Sequence, residues 1–331
     1  MNASNQSATS QVDMKSVIFF CLYTVQGLIQ VFGNLLIVLA VGYSHHLRRK
    51  EYCLPVALAI ADAIYGLGNL SAGVLRLGLI YTAMDQIPVT RWYCIRNFHN
   101  VGLILGGFAC PSILLLISVE RCVACMSIKA YAKLRAARIS YGILVAYAVA
   151  LLLTGAAFVN TYHMPRRLEV KKMCFAGWAM SKPMGSFYYF YQMLGGFLSI
   201  LVYCLAMGSM VCKDTSDTLP ELEKIQRERQ YKVTKMLSWV MGCTFFLYVI
   251  PFFVLTVLSH KISPETHSWL APTCALLLNT NSANNVFIYF AKNHNIRGAI
   301  LAIMGIPKCT ATILGASVTS TEVQVIANNV K

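Results

Sequence analysis

Long apolar stretches alternate with short polar connections along almost the whole chain. Seven such stretches are recognisable, at 16–43, 53–80, 98–119, 139–161, 186–212, 236–259 and 268–291. Each reaches or exceeds the ~20 residues that a helix needs to cross the hydrocarbon layer of a membrane. Helices satisfy their backbone hydrogen bonds internally where water is absent. The pattern therefore predicts an all-α fold, a bundle of seven transmembrane helices.

Composition supports a membrane protein. Hydrophobic residues make up 57% of the 331 residues and charged residues only 12%, with a mean hydropathy of +0.58. A soluble domain carries roughly 25% charged residues. This chain therefore lacks the charged residues that would cover a water-facing surface of its size.

Three segments are expected around and within the bundle. Residues 1–15 form a polar N-terminal tail, residues 16–305 the transmembrane domain, and residues 306–331 a C-terminal tail. The first apolar run is too long for a signal-peptide core, so it is expected to be retained. After the last span, Ile296, Ile300 and Ile303 or Met304 recur at helical spacing, which predicts a short amphipathic helix on the membrane surface.

The distribution of basic residues predicts the orientation. Leaving Arg121 aside, seventeen Lys and Arg residues lie in 44–52, 120–138, 213–235 and the C-terminal tail, against eight in the opposite connections. Basic residues favour the cytoplasmic side. We therefore expect a multi-pass plasma-membrane protein with an extracellular N-terminus and a cytoplasmic C-terminus. The net charge of +15 is explained by this topology and does not require a nucleic-acid partner.

Two modifications are expected on the outer side. Asn2 and Asn5 each begin an Asn-x-Ser sequon in the external tail, where glycosylation is expected. A third match at Asn69 falls within the second span and is treated as accidental. Of the twelve cysteines, only Cys94 and Cys174 lie in segments predicted on the outer side of the membrane. They are therefore the candidate disulfide.

Several polar residues lie where hydrocarbon should exclude them. The ionisable ones are Asp62, Arg76, Arg96, Glu120 and Arg121, and amides or hydroxyls accompany them at Asn34, Asn279, Asn281, Ser282, Asn284 and Asn285. Ionisable groups inside a membrane are rare and mark function by default. Convergence of Asn34, Asn281, Ser282 and Asn285 on Asp62 would supply donors, water or a cation such as sodium. The alternative is that these groups only hold the helices together.

A set of short motifs in a fixed order resembles the rhodopsin-like G-protein-coupled receptor superfamily. The motifs are GN at 33–34, LAIAD at 58–62, ERC at 120–122, Pro251 and NVFIY at 285–289. The family's Asp-Arg-Tyr triplet has Cys122 in place of tyrosine, and its Asn-Pro-x-x-Tyr motif has Val286 in place of proline. A tryptophan usual before the sixth-span proline is Val249 here. Such erosion is similar to the nematode serpentine chemoreceptors.

The resemblance implies an activation switch that includes the arginine at the cytoplasmic end of span three. It comprises Glu120, Arg121, Cys122, Phe245, Pro251, Asn285 and Tyr289. Glu120 would hold Arg121 in the inactive state, and outward movement of span six would uncover Arg121 for a heterotrimeric G protein. Pro251 removes a backbone hydrogen bond and would supply a kink. Simple anchoring of Arg121 at the membrane interface is the alternative.

The expected ligand is acidic rather than a protonated amine. Aminergic members of the superfamily carry an aspartate about five turns before the triplet arginine, where this chain has Leu103. The outer half of the bundle offers Arg76, Arg96, His99 and Asn100 instead. A cationic entrance favours carboxylate-bearing ligands, including acidic peptides. Snorkelling of the arginines is the alternative.

Other classes of seven-span protein fit the sequence less well. Retinal would need a lysine within span seven, and Lys292 comes only at its end. Broken helices and paired repeats, expected of a transporter, are not visible. An enzyme would need a nucleophile paired with a base, and the sequence indicates none. No cofactor is required apart from the sodium ion considered above. A non-signalling structural or chaperone-like membrane protein is the main alternative to a receptor.

Overall fold

The computed structural model describes residues 14–212, 221–258 and 264–306. The sequons at Asn2 and Asn5 and most of the predicted C-terminal tail therefore lie outside the described residues. Seven long helical segments run through the described part, each at one of the predicted apolar stretches. They are α1 (Met14–Tyr43), α2 (Lys50–Tyr81), α4 (Phe98–Met126), α6 (Ala136–Tyr162), α8 (Lys182–Cys212), the sixth span (Glu221–Leu258) and α11 (Pro264–Lys292).

Short elements connect the long helices. They are a 3₁₀ turn at His45–Leu47, strand β1 (Pro88–Thr90), α3 (Arg91–Ile95), α5 (Ile128–Lys133), strand β2 (Leu168–Lys171), α7 (Ala176–Ala179) and the terminal helix α12 (His294–Ile303). The two strands form an antiparallel pair with Val89 opposite Val170. This hairpin is not predicted from the sequence, because strands of three and four residues carry almost no periodic signal.

Six of the described helices are long and apolar enough to cross a membrane. The long helix that falls short of that criterion is α11, which carries the cluster of asparagines between Asn279 and Asn285. The polar amide side chains lower the mean hydropathy of this span. Asn279, Asn281 and Asn285 are buried, as expected of polar groups that contact other helices rather than lipid. The seven-helix bundle is thus the fold that the sequence predicts.

Helix α4 lies at the centre of the bundle, where it packs against α2, α6 and α8, while α1 packs against α2 and α11. The α1–α2 contact is close because Gly27, Gly66 and Gly73 lie in it. A Cβ atom at any of these three positions would overlap the facing helix. Small residues let membrane helices approach closely.

The sixth span is not a uniform α-helix. It consists of α9 (Glu221–Thr244), a π-helical turn at Phe245–Val249, α10 (Ile250–Phe253) and a second π-helical turn at Val254–Leu258. Pro251 in α10 has no N–H to donate to the preceding turn, and its ring crowds that turn's carbonyl. Wider turns on both sides accommodate this local break.

Helix α12 packs against α1 after the last span. The Asn293 side chain caps its N-terminus by accepting a hydrogen bond from the Ile296 N–H at 3.1 Å. Ile296 and Ile300 are buried, whereas Ile303 and Met304 are exposed. The predicted surface helix is therefore present. The first part of its apolar stripe packs against the bundle, and the last part is exposed.

Candidate functional site

The two ends of the bundle differ in their chemistry. The disulfide end carries Cys94 and Cys174, which form the disulfide that the sequence analysis anticipated. The arginine end carries Glu120 and Arg121, near the last turn of α4.

Arg121 and Glu120 form a buried ion pair. Arg121 is 1% exposed and Glu120 is 7% exposed. The Arg121 Nε atom lies 2.6 Å from Glu120 Oε2, and Arg121 Nη2 donates to Glu120 Oε1. Two parallel N–H···O bonds of this kind fix the guanidinium plane as well as its charge. Cys122, the third residue of the motif, is half-buried and contacts Met126.

Two further residues hold Arg121, and the sequence analysis identified neither. Arg121 Nη1 donates to Gln230 Oε1 on the sixth span at 2.9 Å, and Nη2 donates to the Tyr131 hydroxyl on α5 at 3.2 Å. A signal for Gln230 does exist in the sequence. It stands at helical spacing before Thr234, Leu237 and Met241, all of which are buried.

Lys50, at the start of α2, fixes α5 beneath Arg121. Its ammonium group donates to the carbonyl oxygens of Tyr131 at 2.8 Å and Leu134 at 3.2 Å. It also lies 4.2 Å from the centre of the Tyr131 ring. Burial, and to a lesser degree the charge of Glu120, raise the pKa of the Tyr131 phenol above its usual range. The hydroxyl serves as a neutral hydrogen-bonding group.

Asp62 lies in the middle of the bundle and is 1% exposed. Asn285 Nδ2 on α11 donates to Asp62 Oδ2 at 2.9 Å. The Cys110 thiol on α4 donates to Asp62 Oδ1 at 3.4 Å. The contact of Asn285 with Asp62 is as predicted from the sequence, whereas the contact with the thiol is not. Nothing in the sequence distinguishes Cys110 from the other cysteines within the spans.

Of the other predicted members of the Asp62 cluster, Ser282 also hydrogen-bonds to the Asp62 carboxylate. Asn34 and Asn281 are buried but make different contacts. Asn34 Nδ2 donates to the Gln30 carbonyl of its own helix at 2.8 Å. Asn281 Oδ1 accepts from Thr244 Oγ1 on the sixth span at 3.3 Å. Ser282 is 7% exposed and Tyr289 is 1% exposed. In the described part of the chain, Asn34 Oδ1, Asn285 Oδ1 and the Tyr289 hydroxyl are buried without a hydrogen-bond partner.

A second amide cluster joins α1, α2 and α11 nearer the disulfide end. Asn69 Nδ2 donates to Gln30 Oε1 at 3.0 Å and to Asn279 Oδ1 at 3.1 Å. Gln30 Nε2 donates to the Asn279 carbonyl. Asn69 is 1% exposed, so the sequon that begins there is enclosed by helices. Asp62, Asn69 and Arg76 are seven residues apart and thus lie along one face of α2.

At the disulfide end, Arg76 and His99 converge on the loop that carries Cys174. Arg76 Nε donates to the Met173 carbonyl at 3.0 Å, and Arg76 Nη2 donates to the Cys174 carbonyl at 3.2 Å. The guanidinium stacks on Phe175, 4.2 Å from the ring centre. His99 Nε2 lies 3.3 Å from the same Cys174 oxygen.

The remaining residues of the predicted ligand pocket divide between the interior and the surface. Asn100 is buried and donates to the Cys94 carbonyl at 2.8 Å. Leu103 is buried too, and its carbonyl accepts from the Tyr188 hydroxyl at 2.8 Å. Arg96 is exposed, and its guanidinium lies over the Trp92 ring at 5.5 Å. The structure thus does not group Arg96 with Arg76, because Arg96 follows the short helix α3 and precedes α4.

Phe245 also differs from its expected place. It begins the π-helical turn and is 38% exposed, whereas Thr244, Tyr248, Val249 and Phe252 are buried. A π turn contains an additional residue and so changes which side chains face inward. Phe245 therefore does not join the buried switch residues, and Thr244 contacts α11 from the sixth span instead.

Comparison with known proteins agrees with this architecture. The profile of the 7 transmembrane receptor (rhodopsin family) matches residues 33–289. The histamine H2 receptors of Homo sapiens, Pongo pygmaeus and Gorilla gorilla gorilla are each 25% identical to the chain over 283 residues. Each match covers 82% of this chain and 74% of the relative.

Proposed function

Since the chain belongs to the rhodopsin family of seven-transmembrane receptors, we propose that it binds an extracellular ligand and activates a heterotrimeric G protein. It is a multi-pass membrane protein and a receptor rather than an enzyme. The proposal assigns the disulfide end to the outside of the plasma membrane and the arginine end to the cytoplasm. The excess of Lys and Arg in the connections at the arginine end supports this orientation.

The hydrogen bond between Arg121 and Gln230 carries the signalling proposal. It joins α4 to the sixth span at 2.9 Å and leaves Arg121 only 1% exposed. Outward movement of the sixth span would separate the two side chains and uncover the guanidinium. A G-protein α subunit offering backbone carbonyls or its own polar groups could then replace Gln230. Differences of 1–3 kcal/mol between two states suffice for such coupling.

Nucleotide exchange on purified G-protein α subunits tests this function. The wild-type receptor, screened in membranes against a ligand panel, should accelerate exchange on at least one α-subunit class. Arg121→Ala should abolish that exchange while surface expression stays within about twofold. A non-signalling structural or chaperone-like protein would accelerate exchange with no α subunit, and undiminished exchange by Arg121→Ala would remove the assigned role of Arg121.

We further propose that the ligand bears a carboxylate or another anionic group. Arg76 is 2% exposed and has no carboxylate partner among the residues that the structure describes. Backbone carbonyls and the Phe175 ring surround it. A buried cation without a counter-charge is costly, and an anionic ligand would supply the missing charge.

The histamine H2 receptors are named for an amine ligand. An amine is less well supported as the ligand of this chain. Leu103 stands five turns before Arg121. Asp62 and Glu120 are the only acidic residues that the structure describes as buried. Both are engaged, Asp62 by Asn285 and Cys110 and Glu120 by Arg121. The outer half of the described bundle thus offers no buried carboxylate that would pair with an ammonium group.

Arg76 and Arg96 provide a matched pair of variants for the ligand proposal. The probes are a panel of carboxylates and acidic peptides, each with its uncharged amide counterpart. Arg76→Gln should lower the potency of active carboxylates at least tenfold and leave their amides unchanged. Arg96→Gln, which alters an exposed arginine stacked on Trp92, should have little effect. Equal potency in wild type and Arg76→Gln would reject an anionic ligand held by Arg76.

A chemosensory role is the finer part of the proposal. The eroded motifs around Cys122, Val249 and Val286 support it, because they resemble those of the nematode chemoreceptors. Environmental carboxylic acids are therefore the first ligands to include in the panel. Expression confined to tissues without sensory cells would speak against this role.

A further inference from the structure

The carboxylate in the middle of the bundle is held by a thiol. Cys110 Sγ lies 3.4 Å from Asp62 Oδ1, and Asn285 Nδ2 lies 2.9 Å from Asp62 Oδ2. Cys110 is 7% exposed and Asp62 is 1% exposed. Each carboxylate oxygen therefore already accepts a hydrogen bond from an uncharged protein donor.

This arrangement does not fit a sodium ion, which the sequence analysis considered for the Asp62 cluster. Hard cations take carboxylate, carbonyl and water oxygens as ligands, whereas thiols suit soft metals. Sulfur is a weak acceptor, so a neutral Cys110 adds little to the binding of a hard cation. It also occupies the position beside Asp62 Oδ1 where another oxygen ligand would have to lie.

The other oxygen atoms of the cluster belong to the Ser282 hydroxyl, which also hydrogen-bonds to Asp62, and to amides. Asn281 Oδ1 is engaged by Thr244. Asn285 Oδ1 and Asn34 Oδ1 are buried without partners in the described part of the chain. Unpaired acceptors of this kind are satisfied by ordered water, which donates two hydrogen bonds. The surroundings of Asp62 thus match a hydrated, hydrogen-bonded carboxylate.

We propose that Cys110 determines the cation specificity of this intramembrane site and makes the receptor insensitive to sodium. The thiol group supplies a hydrogen bond to Asp62 in place of a cation ligand. Replacement of its sulfur by oxygen would keep the side-chain shape and provide the missing hard ligand. The proposal concerns the resting protein and is independent of the ligand and of the G protein.

Thermal unfolding of the purified full-length receptor in detergent tests the proposal. Melting temperatures are measured in NaCl, KCl and choline chloride at equal ionic strength. Wild type should melt at the same temperature in all three salts. Cys110→Ser should melt higher in NaCl alone, by about 2 °C or more, a shift typical of a stabilisation near 1 kcal/mol for a protein of this size.

Two control variants separate the role of the oxygen atom from that of cavity volume. Cys110→Ala removes the thiol without supplying oxygen and should remain insensitive to sodium. Cys110→Ser combined with Asp62→Asn should lose the sodium response because the carboxylate charge is gone. If Cys110→Ser does not fold, the wild-type melting temperatures in the three salts still test whether the receptor is insensitive to sodium.

Two results would overturn the proposal. The first is a saturable, sodium-specific rise in the wild-type melting temperature that Asp62→Asn abolishes. The second is a folded Cys110→Ser receptor with equal melting temperatures in the three salts. Neither result bears on G-protein activation, so failure here is distinguishable from failure of the proposed function.

Discussion

Arg121 is the residue whose surroundings most directly connect structure with signalling. Its guanidinium is held by Glu120 on the same helix, Gln230 on the sixth span and Tyr131 on α5. Removing a partner from a buried charge pair costs about 3–5 kcal/mol, whereas a single hydrogen bond to a charged group contributes roughly 1.5–3 kcal/mol. We therefore expect Glu120 to keep the arginine buried and Gln230 to hold the sixth span closed over it.

At the residue scale, Gln230→Leu should raise ligand-independent nucleotide exchange several-fold. The substitution removes the hydrogen bond that joins the Arg121 guanidinium to the described part of the sixth span, which destabilises the closed state relative to the open one. Gln230→Glu should lower basal exchange because it adds a charge to the same bond. Glu228→Gln, at an exposed position of the same helix, is the control and should match wild type. Basal exchange in Gln230→Leu equal to that control would contradict the closing role.

The element scale concerns how the sixth span and α5 can move relative to the rigid centre of the bundle. Pro251 and its two flanking π-helical turns interrupt the sixth span, so part of its backbone lacks the regular α-helical hydrogen bonds. Helix α5 is held to α2 through Lys50. These two elements both contact Arg121, one through Gln230 and the other through Tyr131.

Pro251→Ala should make the sixth span more regular and less able to open. Alanine restores a backbone donor and favours α-helix over proline by about 3 kcal/mol. Ligand-stimulated exchange should fall several-fold while the melting temperature rises or stays constant. Unchanged stimulation by a stably expressed Pro251→Ala receptor would show that the break is not used in activation.

Lys50→Met should weaken the attachment of α5 to α2 without removing any hydrogen bond of Arg121 itself. The methionine keeps the apolar stem but cannot donate to the Tyr131 and Leu134 carbonyls. Basal exchange should rise, though less than in Gln230→Leu, because the bond from Arg121 to the sixth span remains. Lys50→Arg retains the donors and should be close to wild type. An equal rise in basal exchange in both variants would contradict this role of the hydrogen bonds, because only Lys50→Met loses them.

For the whole molecule, the Cys94–Cys174 disulfide joins the short helix α3, just before the third span, to the loop between the fourth and fifth spans. It closes a segment with a sequence separation of 80 residues. The same loop presents the Cys174 carbonyl to both Arg76 and His99. The disulfide therefore stabilises the fold and positions the residues of the candidate ligand site together.

Replacing both cysteines by alanine should lower the thermal stability of the receptor and its surface expression. Loss of a native disulfide typically costs 2–5 kcal/mol in small secreted domains. Potency of an active carboxylate should fall as well, because Arg76 loses the ordered carbonyls that orient it. Replacement of the free cysteine Cys204, which is exposed on α8, is the control. A double variant with wild-type melting temperature and potency would refute both effects.

Much of this protein follows from the sequence by itself. The length and apolarity of the stretches determine the helices, since backbone in lipid must satisfy its own hydrogen bonds. The placement of Cys94 and Cys174 outside the spans indicates their disulfide, and the rarity of charge in hydrocarbon marks Asp62, Arg76 and Arg121 as residues to explain. These properties are local or compositional, so they can be read along the chain.

Only the tertiary structure decided which partners those residues have. Gln230 reaches Arg121, Cys110 reaches Asp62 and Cys174 reaches Arg76 across different elements of the chain. The π-helical turn that turns Phe245 outward likewise depends on how the sixth span packs around Pro251. Helical periodicity assigns a side chain to a face, but the neighbouring helix and its rotation determine what that face meets.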